Sequence, residues 1–121
     1  MDLSSQRQYI QRAETANEIL TTTDLTTLYT TPSGDDFTFS IVESFLVCDH
    51  DNQQTNITVT VVSGGTTYTL FKEYVITAYD TEELLSKSLV LKQGDVLKVQ
   101  ADRAGNLTVY ASIVEYAKGD W

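Results

Sequence analysis

Residues 24–44, DLTTLYTTPSGDDFTFSIVES, contain the pattern that decides the fold of this chain. A run rich in Thr, Leu and Tyr ends at Pro32, and a second run with Phe37, Phe39 and Ile41 follows a polar turn. β-Branched and aromatic residues suit a pleated surface, and proline ends a strand because it has no N–H to donate. The stretch therefore predicts strand, turn and strand, with Phe37, Phe39 and Ile41 entering the core.

The same texture continues along the chain, with turns rich in Gly, Asp and Asn between alternating apolar runs. This spacing predicts about eight strands in an all-β, antiparallel β-sandwich. We expect them at residues 26–31, 37–48, 55–63, 66–72, 74–79, 86–91, 96–102 and 107–116. Hairpins are expected at Ser63–Thr66 and Arg103–Asn106. The continuous run Ser44–Cys48 fits a strand buried on both sides or one that changes face through a bulge. Jelly-roll and immunoglobulin-like topologies both remain open.

The N-terminal part of the chain has a different pattern. Residues 3–20 carry a loose helical period and are the best helix candidate, but an extended arm that orders on a partner fits equally well. We therefore divide the chain into an N-terminal arm, residues 1–24, and a β-sandwich domain, residues 25–121. On this interpretation, deletion of residues 1–20 should leave a folded domain.

Charge and composition exclude several classes of partner. The 121 residues carry a net charge of −9, and the few basic residues are scattered, so direct binding to nucleic acid is not expected. No apolar run approaches the roughly 18 residues of a membrane span. The N-terminus lacks the apolar segment of a secretory signal, which predicts synthesis in the cytoplasm of the producing cell.

The sequence offers little catalytic chemistry. The pair Cys48 and His50 is interpreted as a core thiol and a solvated turn histidine, because the second position already falls in a turn. The acidic groups around Asp35, Asp49 and Glu82 lack the continuation of a calcium loop, so no metal site is expected. The seven tyrosines follow strand spacing, which predicts that most pack inward. We expect neither an enzyme nor a bound cofactor.

Four segments carry a resemblance to a family. Residues 25–32, LTTLYTTP, resemble the "LTTLYTVP" segment of small β-sandwich virion proteins of tailed bacteriophages, although Thr31 stands where that family usually has Val. Residues 61–66, 89–99 and 104–109 are similar to the rest of the pattern. The resemblance implies a virion structural protein of the capsid decoration (cement) or head-fibre type, without a cofactor.

The preferred interpretation is a decoration protein that binds the outer surface of the major capsid protein shell and stabilises it. It implies location in the virion and a homo-oligomer, a trimer or dimer, whose multivalency supplies affinity. A tail or fibre adaptor or receptor-binding component, or a small carbohydrate-binding module with tyrosine platforms, remains an alternative. The residues expected to bind the partner are Tyr9, Ile10, Ile19 and Leu20 in the arm, and Trp121 at the C-terminus.

Overall fold

The chain forms nine strands in residues 9–34 and 36–118, which are the residues that the computed structural model describes. The strands are β1 (Tyr9–Ile19), β2 (Thr26–Thr30), β3 (Phe37–Asp49), β4 (Thr55–Ser63), β5 (Thr66–Ile76), β6 (Thr81–Glu83), β7 (Leu89–Lys92), β8 (Val96–Ala101) and β9 (Leu107–Lys118). In these two ranges there is no helix that is long and apolar enough to cross a membrane.

The strands lie in two antiparallel sheets that face each other. The first sheet has the order β1-β9-β3, followed by β6 and β7, which pair with successive parts of the same edge of β3. The second sheet has the order β2-β8-β4-β5. Because β6 and β7 share one position, each sheet has four strand positions, and most connections cross between the sheets. This is a jelly roll, so the prediction of an antiparallel β-sandwich is confirmed and the jelly-roll alternative is the observed one.

The core lies between the sheets and is filled by every second side chain of the central strands. Each such side chain contributes about 1.5–3 kcal/mol through removal of apolar surface from water. The largest fully buried side chains are Val42, Phe45 and Val47 of β3, Ile57 and Val59 of β4, Ile76 of β5, Leu91 of β7, Leu97 and Val99 of β8, and Leu107, Val109 and Ile113 of β9.

The predicted strands differ from the observed ones in three places. Residues 66–72 and 74–79 form one strand, β5, because a bulge opposite β4 absorbs the irregular backbone of Glu73 without ending the pairing. The short strand β6 was not predicted. The strand expected at 86–91 is β7, which begins three residues later at Leu89.

The two predicted hairpins have different outcomes. The turn between Ser63 and Thr66 joins neighbouring strands β4 and β5, and Gly64 and Gly65 both have positive φ, at 58° and 80°. Such a pair is typical of a two-residue type I′ turn. The hairpin predicted at Arg103–Asn106 is wrong, because β8 and β9 lie in different sheets and this turn crosses between them.

Residues 9–19 form an edge strand of the first sheet. β1 pairs with β9 in register over its full length, from Tyr9 opposite Lys118 to Ile19 opposite Thr108. In this segment the hydrogen bonds to β9 therefore outweigh the local helix propensity, and the helical alternative is wrong for residues 9–19. The division of the chain into an arm and a separate domain stays a prediction.

Candidate functional site

The outer face of the first sheet carries many large apolar side chains among polar ones such as Thr15, Asn17 and Ser112. Strand alternation and pairing register place eight large apolar or aromatic side chains on it: Ile19, Phe39, Ile41, Leu46, Val90, Tyr110, Val114 and Tyr116. We call this set the apolar face. Four of its members are well exposed, at 55% for Ile19, 39% for Leu46, 58% for Val90 and 41% for Tyr110. The rings of Phe39 and Tyr116 stack with their centroids 4.7 Å apart.

A bulge in β3 places two of these side chains outside. The register between β3 and β9 shifts between Phe37 and Phe39, so one extra residue reverses the alternation that follows. Ser40 and Val42 consequently point into the core, where both are fully buried, and Phe39 and Ile41 point outward. The prediction that Phe39 and Ile41 enter the core is therefore wrong, whereas the prediction for Phe37 is confirmed.

A second bulge follows between Val42 and Ser44 and returns Phe45 and Val47 to the core. The run Ser44–Cys48 was expected to be covered on both sides or to change face through a bulge. The bulge is the observed alternative, because the register shifts just before Ser44. The run is buried only on its inner side, since Leu46 on the outer side is 39% exposed. This run is the sequence signal that points to the apolar face.

The two ends of the apolar face carry opposite charges. Lys92 lies opposite Phe39 in the register, and Lys118 ends β9 at the same end of the sheet. Glu83 lies opposite Leu46 towards the other end. All three charged residues are exposed, so the charges lie towards the ends of this sheet face. Its middle row, Thr15, Ser112 and Ser44, is polar but uncharged.

Hydrogen bonds hold Glu83 in its ionised form. Its carboxylate accepts a bond from the Ser44 hydroxyl, one of 2.7 Å from the Phe45 amide and one of 3.3 Å from the Leu85 amide. Partial burial opposes ionisation, but these bonds and the Leu84 amide outweigh it and lower the pKa of Glu83. Glu83 is therefore a fixed negative charge that also ties β6 to β3.

The outer face of the second sheet is polar by comparison. Most of its outward positions are polar, although Val62, Val75 and Val96 also lie there. The polar positions are Thr27 and Thr30 of β2, Lys98 and Gln100 of β8, Thr58 and Thr60 of β4, and Thr67 and Thr69 of β5. Threonine provides strand propensity without a large apolar surface. Large apolar side chains are therefore more numerous on the outer face of the first sheet than on that of the second.

A buried polar network lies on the inner side of the first sheet. The Glu115 carboxylate is 5% exposed and accepts hydrogen bonds from the Arg12 guanidinium, at 2.9 Å from Nε, and from the Tyr29 hydroxyl. The Tyr29 hydroxyl also lies 2.9 Å from the Ser40 hydroxyl. Burial and the bond to Glu115 raise the pKa of Tyr29. The network joins β1, β3 and β9 of the first sheet to β2 of the second.

The cysteine, histidine and acidic groups considered from the sequence form no metal-binding cluster in the described residues. Cys48 is half-buried on the outer side of β3 rather than in the core, and His50 is exposed in the turn that follows. Asp49 is buried and accepts a 3.0 Å bond from the Asp51 amide. Residues 9–34 and 36–118 contain no group of three or more His, Cys, Asp or Glu residues that could hold a metal ion.

Four tyrosines are exposed, contrary to the prediction that most pack inward: Tyr68, Tyr74, Tyr79 and Tyr110. β5 is an edge strand, so side chains on its inner side extend past the opposite sheet into solvent. The four do not form one platform. Tyr68 and Tyr74 lie in β5 and Tyr79 in the turn after it, whereas Tyr110 lies on the first sheet. An open polar cleft of about 280 Å³ beside β5, lined by residues such as Asn56, Lys72 and Asp102, has no aromatic residue in its lining.

The structure separates the residues that were expected to bind a partner. Ile19 lies on the apolar face, and Ile10 is exposed on the opposite side of β1. Leu20 is 3% exposed and belongs to the core, because the chain turns inward there and its amide donates to the Leu107 carbonyl at 2.9 Å. The surface role expected for Leu20 is therefore wrong. The backbone of Tyr9 pairs with β9, and Trp121 lies outside the described residues.

Comparison with known proteins shows similarity of fold. No protein-family model and no curated protein sequence matches this chain. A structure of Bacillus endospore appendages, described as disulfide-linked pili, is 15% identical with a TM-score of 0.59, over 94% of this chain and 92% of that one. A structure of infectious bursal disease virus, Gx strain, is 12% identical with a TM-score of 0.56, over 94% of this chain and 33% of that one.

A pentameric capsid protein from metagenomic phage sequences is 20% identical with a TM-score of 0.50, over 87% of this chain and 63% of that one. This chain therefore spans a third to two thirds of the length of these two viral proteins. At such low identity the similarity establishes the fold alone. The structures that share it include structural proteins of viruses and of a spore appendage.

Proposed function

We propose that this protein is a non-enzymatic structural protein of a bacteriophage virion, namely a capsid decoration (cement) protein. It binds the outer surface of the major capsid protein shell and stabilises the shell. The observation that carries the proposal is the apolar face, which is the surface of a protein that assembles with others. The jelly-roll fold, which a phage capsid protein shares, supports the choice of a virion as the place of assembly.

The apolar face provides the energy for assembly. Covering exposed apolar surface contributes about 25 cal/mol for each Å² removed from water. Tyr110, which is 41% exposed, belongs to the aromatic type that is enriched at the centre of interfaces. The remaining surface carries the acidic charge of the chain, which keeps unassembled copies soluble.

The protein acts as a homo-oligomer, a dimer or trimer, on the particle. Several weak contacts made together give an oligomer a much higher affinity for a symmetric shell than one copy has. Ile10 and Ile19 are exposed on opposite sides of β1, and this strand lies at the edge of the sheet where a shell subunit can reach it. The protein is made in the host cytoplasm and joins the shell there.

Two alternatives place the same fold elsewhere. A tail or fibre adaptor would use the apolar face at a site of low copy number, and a carbohydrate-binding module would use the polar cleft near Lys72. The appendage similarity, which covers nearly the whole of both chains, favours a third candidate, a subunit of a surface filament. This sequence has a single cysteine, Cys48, which can form one disulfide and so cannot link a continuous polymer.

Deletion of the gene tests the proposal. We expect particles that still assemble but release their genome at a lower temperature or after a milder osmotic shock than wild-type particles. Adding back the purified protein should restore their resistance. Particles of unchanged resistance would contradict the stabilising role, and failure to assemble any particle would indicate a different structural role.

A further inference from the structure

We propose that a second copy of this chain covers the apolar face, so that two chains pack face to face about a twofold axis. This inference rests on the proposed function in one respect, because it names the partner of the apolar face, the surface on which the proposed function depends. A twofold contact uses the same patch on both subunits, and the patch must therefore be complementary to itself. Its size, its charge distribution and its surroundings can each be compared with that requirement.

The outer face of the first sheet, which includes the apolar face, has the size of a stable interface. β1, β3 and β9 have 11, 13 and 12 residues, and β6 and β7 add 3 and 4 at the fourth position. At roughly 3.4 Å per residue and a strand spacing of about 4.8 Å, this outer face covers roughly 700 Å². A standard protein–protein interface buries about 800 Å² on each partner. A pair of chains packed through this face would therefore bury about as much surface as stable complexes do.

The charges on the face are complementary under a twofold rotation. Lys92 and Lys118 lie at one end, and Glu83 lies towards the other end. When two copies pack antiparallel, the lysine end of each copy meets the Glu83 end of its partner. Opposite charges at the rim of an interface speed association and fix its orientation.

The face also avoids the repulsion that the rest of the chain would create. The chain has a net charge of −9, but the charged residues at the paired outward positions of the first sheet are only Lys92, Lys118 and Glu83. The bulged residue Glu43 adds one further acid near the gap between β6 and β7. Two copies therefore meet through a nearly neutral surface, while most acidic groups remain in solvent.

The free edge of β5 is a poorer surface for a second copy. β5 is the edge of the second sheet, so the backbone groups on its outer side have no strand partner among the described residues. Tyr68, Leu70, Tyr74 and Val75 are exposed along this strand. A bulge at Lys72 and Glu73 interrupts this edge, and Glu73 has a positive φ of 49°. Bulges and charged residues are the features that prevent edge strands from pairing with other chains.

Sedimentation equilibrium on the purified full-length protein tests the inference. We expect twice the chain mass of 13.5 kDa at micromolar concentration. The double substitution Leu46→Glu and Val90→Glu places four carboxylates in the twofold contact and should raise the dissociation constant at least 100-fold. Both side chains are exposed in the single chain, so circular dichroism and the melting temperature of the monomer should remain close to wild type.

Val75→Glu is the matched control. Val75 is 46% exposed, like the two test residues, but it lies on the outer face of the second sheet. This variant should dimerise as the wild type does. A second pair of substitutions, Lys92→Glu and Lys118→Glu, should weaken the dimer about tenfold at low salt and much less at 0.5 M salt, because salt screens rim charges.

The possible outcomes separate this inference from the proposed function. A monomeric or trimeric wild-type protein at 100 μM would overturn the twofold dimer, as would undiminished dimerisation of the Leu46 and Val90 double variant. Either result leaves the decoration role standing if the protein is present on particles. A dimer that is absent from particles supports the inference and overturns the proposed function.

Discussion

The Tyr29 hydroxyl offers the sharpest test of how the sandwich is held together. It donates a hydrogen bond to the buried Glu115 carboxylate and lies 2.9 Å from the Ser40 hydroxyl, which is fully buried. Tyr29→Phe keeps the ring and removes only these bonds. A hydrogen bond to a charged group contributes about 1.5–3 kcal/mol, and a buried hydroxyl without a partner adds to the loss.

We expect Tyr29→Phe to lower the free energy of unfolding by roughly 2–3 kcal/mol, since half-burial of Tyr29 lets water compensate part of the loss. For 121 residues an entropy of unfolding near 2.1 cal/mol/K per residue makes 1 kcal/mol equivalent to about 4 °C. The melting temperature should therefore fall by roughly 8–12 °C. Urea unfolding followed by circular dichroism measures the free energy independently.

Tyr74→Phe is the control for this experiment. Its hydroxyl also donates to a carboxylate, that of Glu82 at 3.2 Å, but the pair is exposed to solvent. We expect no measurable change, because exposed polar contacts are largely replaced by water. A loss below about 0.5 kcal/mol for Tyr29→Phe, or an equal loss for both variants, would refute the claim that burial makes the Glu115 network important.

The raised pKa of Tyr29 adds a dependence on pH. The unfolded tyrosine ionises near its ordinary value of 10, whereas the folded one keeps its proton to higher pH. The unfolded state therefore binds fewer protons above pH 10, and this part of the stability is lost as the pH rises further. Tyr29→Phe should show a smaller loss of stability between pH 9 and 11 than the wild type, and an unchanged slope would contradict the assignment.

Three further predictions follow from the structure. Glu83→Gln should lower the free energy of unfolding by about 1 kcal/mol at pH 7, a small loss because Glu83 is exposed to solvent. The lowered pKa of Glu83 adds stability above its ordinary value of 4.5, so the difference from wild type should shrink as the pH falls below that value. A difference that does not depend on pH in urea unfolding would contradict this. Thr31→Val should change the free energy of unfolding by less than about 1 kcal/mol. The Asp95 carbonyl accepts hydrogen bonds from both the Thr31 hydroxyl, at 2.7 Å, and the Thr31 amide, at 2.8 Å, so it keeps one donor in the variant. A loss above about 2 kcal/mol would indicate that the hydroxyl is essential. Contrary to the expectation from the sequence, deletion of residues 1–20 should abolish cooperative thermal unfolding, which calorimetry measures, because it removes β1 and the buried Leu20. A sharp transition near the wild-type temperature would show that β1 is dispensable.

Local patterns were sufficient to predict most of the sandwich. The alternation in β9 and the two glycines of the β4–β5 turn specify strand and hairpin within a few residues of sequence. β2 ends at Thr30, two residues before Pro32, close to the strand end that residues 24–44 predicted. These features depend on pleat periodicity and turn geometry, which are local properties of the chain.

The features that were missed depend on long-range pairing. A bulge in β3 exists only relative to β9, so the sequence alone placed Phe39 and Ile41 on the wrong side of the sheet. β1 becomes a strand because β9 provides its hydrogen bonds, and its Arg12 meets Glu115 across 103 residues of sequence. The apolar face was missed for the same reason, although the unbroken apolar run Ser44–Cys48 hinted at it.

Cys48, the single cysteine of the chain, lies at the rim of the proposed dimer contact. Cys48 is half-buried on the outer side of β3, at the end of the first sheet opposite Lys92. In an antiparallel dimer through the apolar face the two copies of Cys48 lie near opposite ends of the contact, so a disulfide between them is not expected. The dimer should therefore form equally well with and without a reducing agent.

Quantitative mass spectrometry of purified particles tests the central claim most directly. The measurement is the number of copies of this chain relative to the major capsid protein in the same particle. A capsid decoration protein predicts hundreds of copies, in fixed proportion to the shell subunits. A dozen or fewer copies would contradict the decoration role in favour of a tail component, and absence from the particles would contradict a virion role altogether.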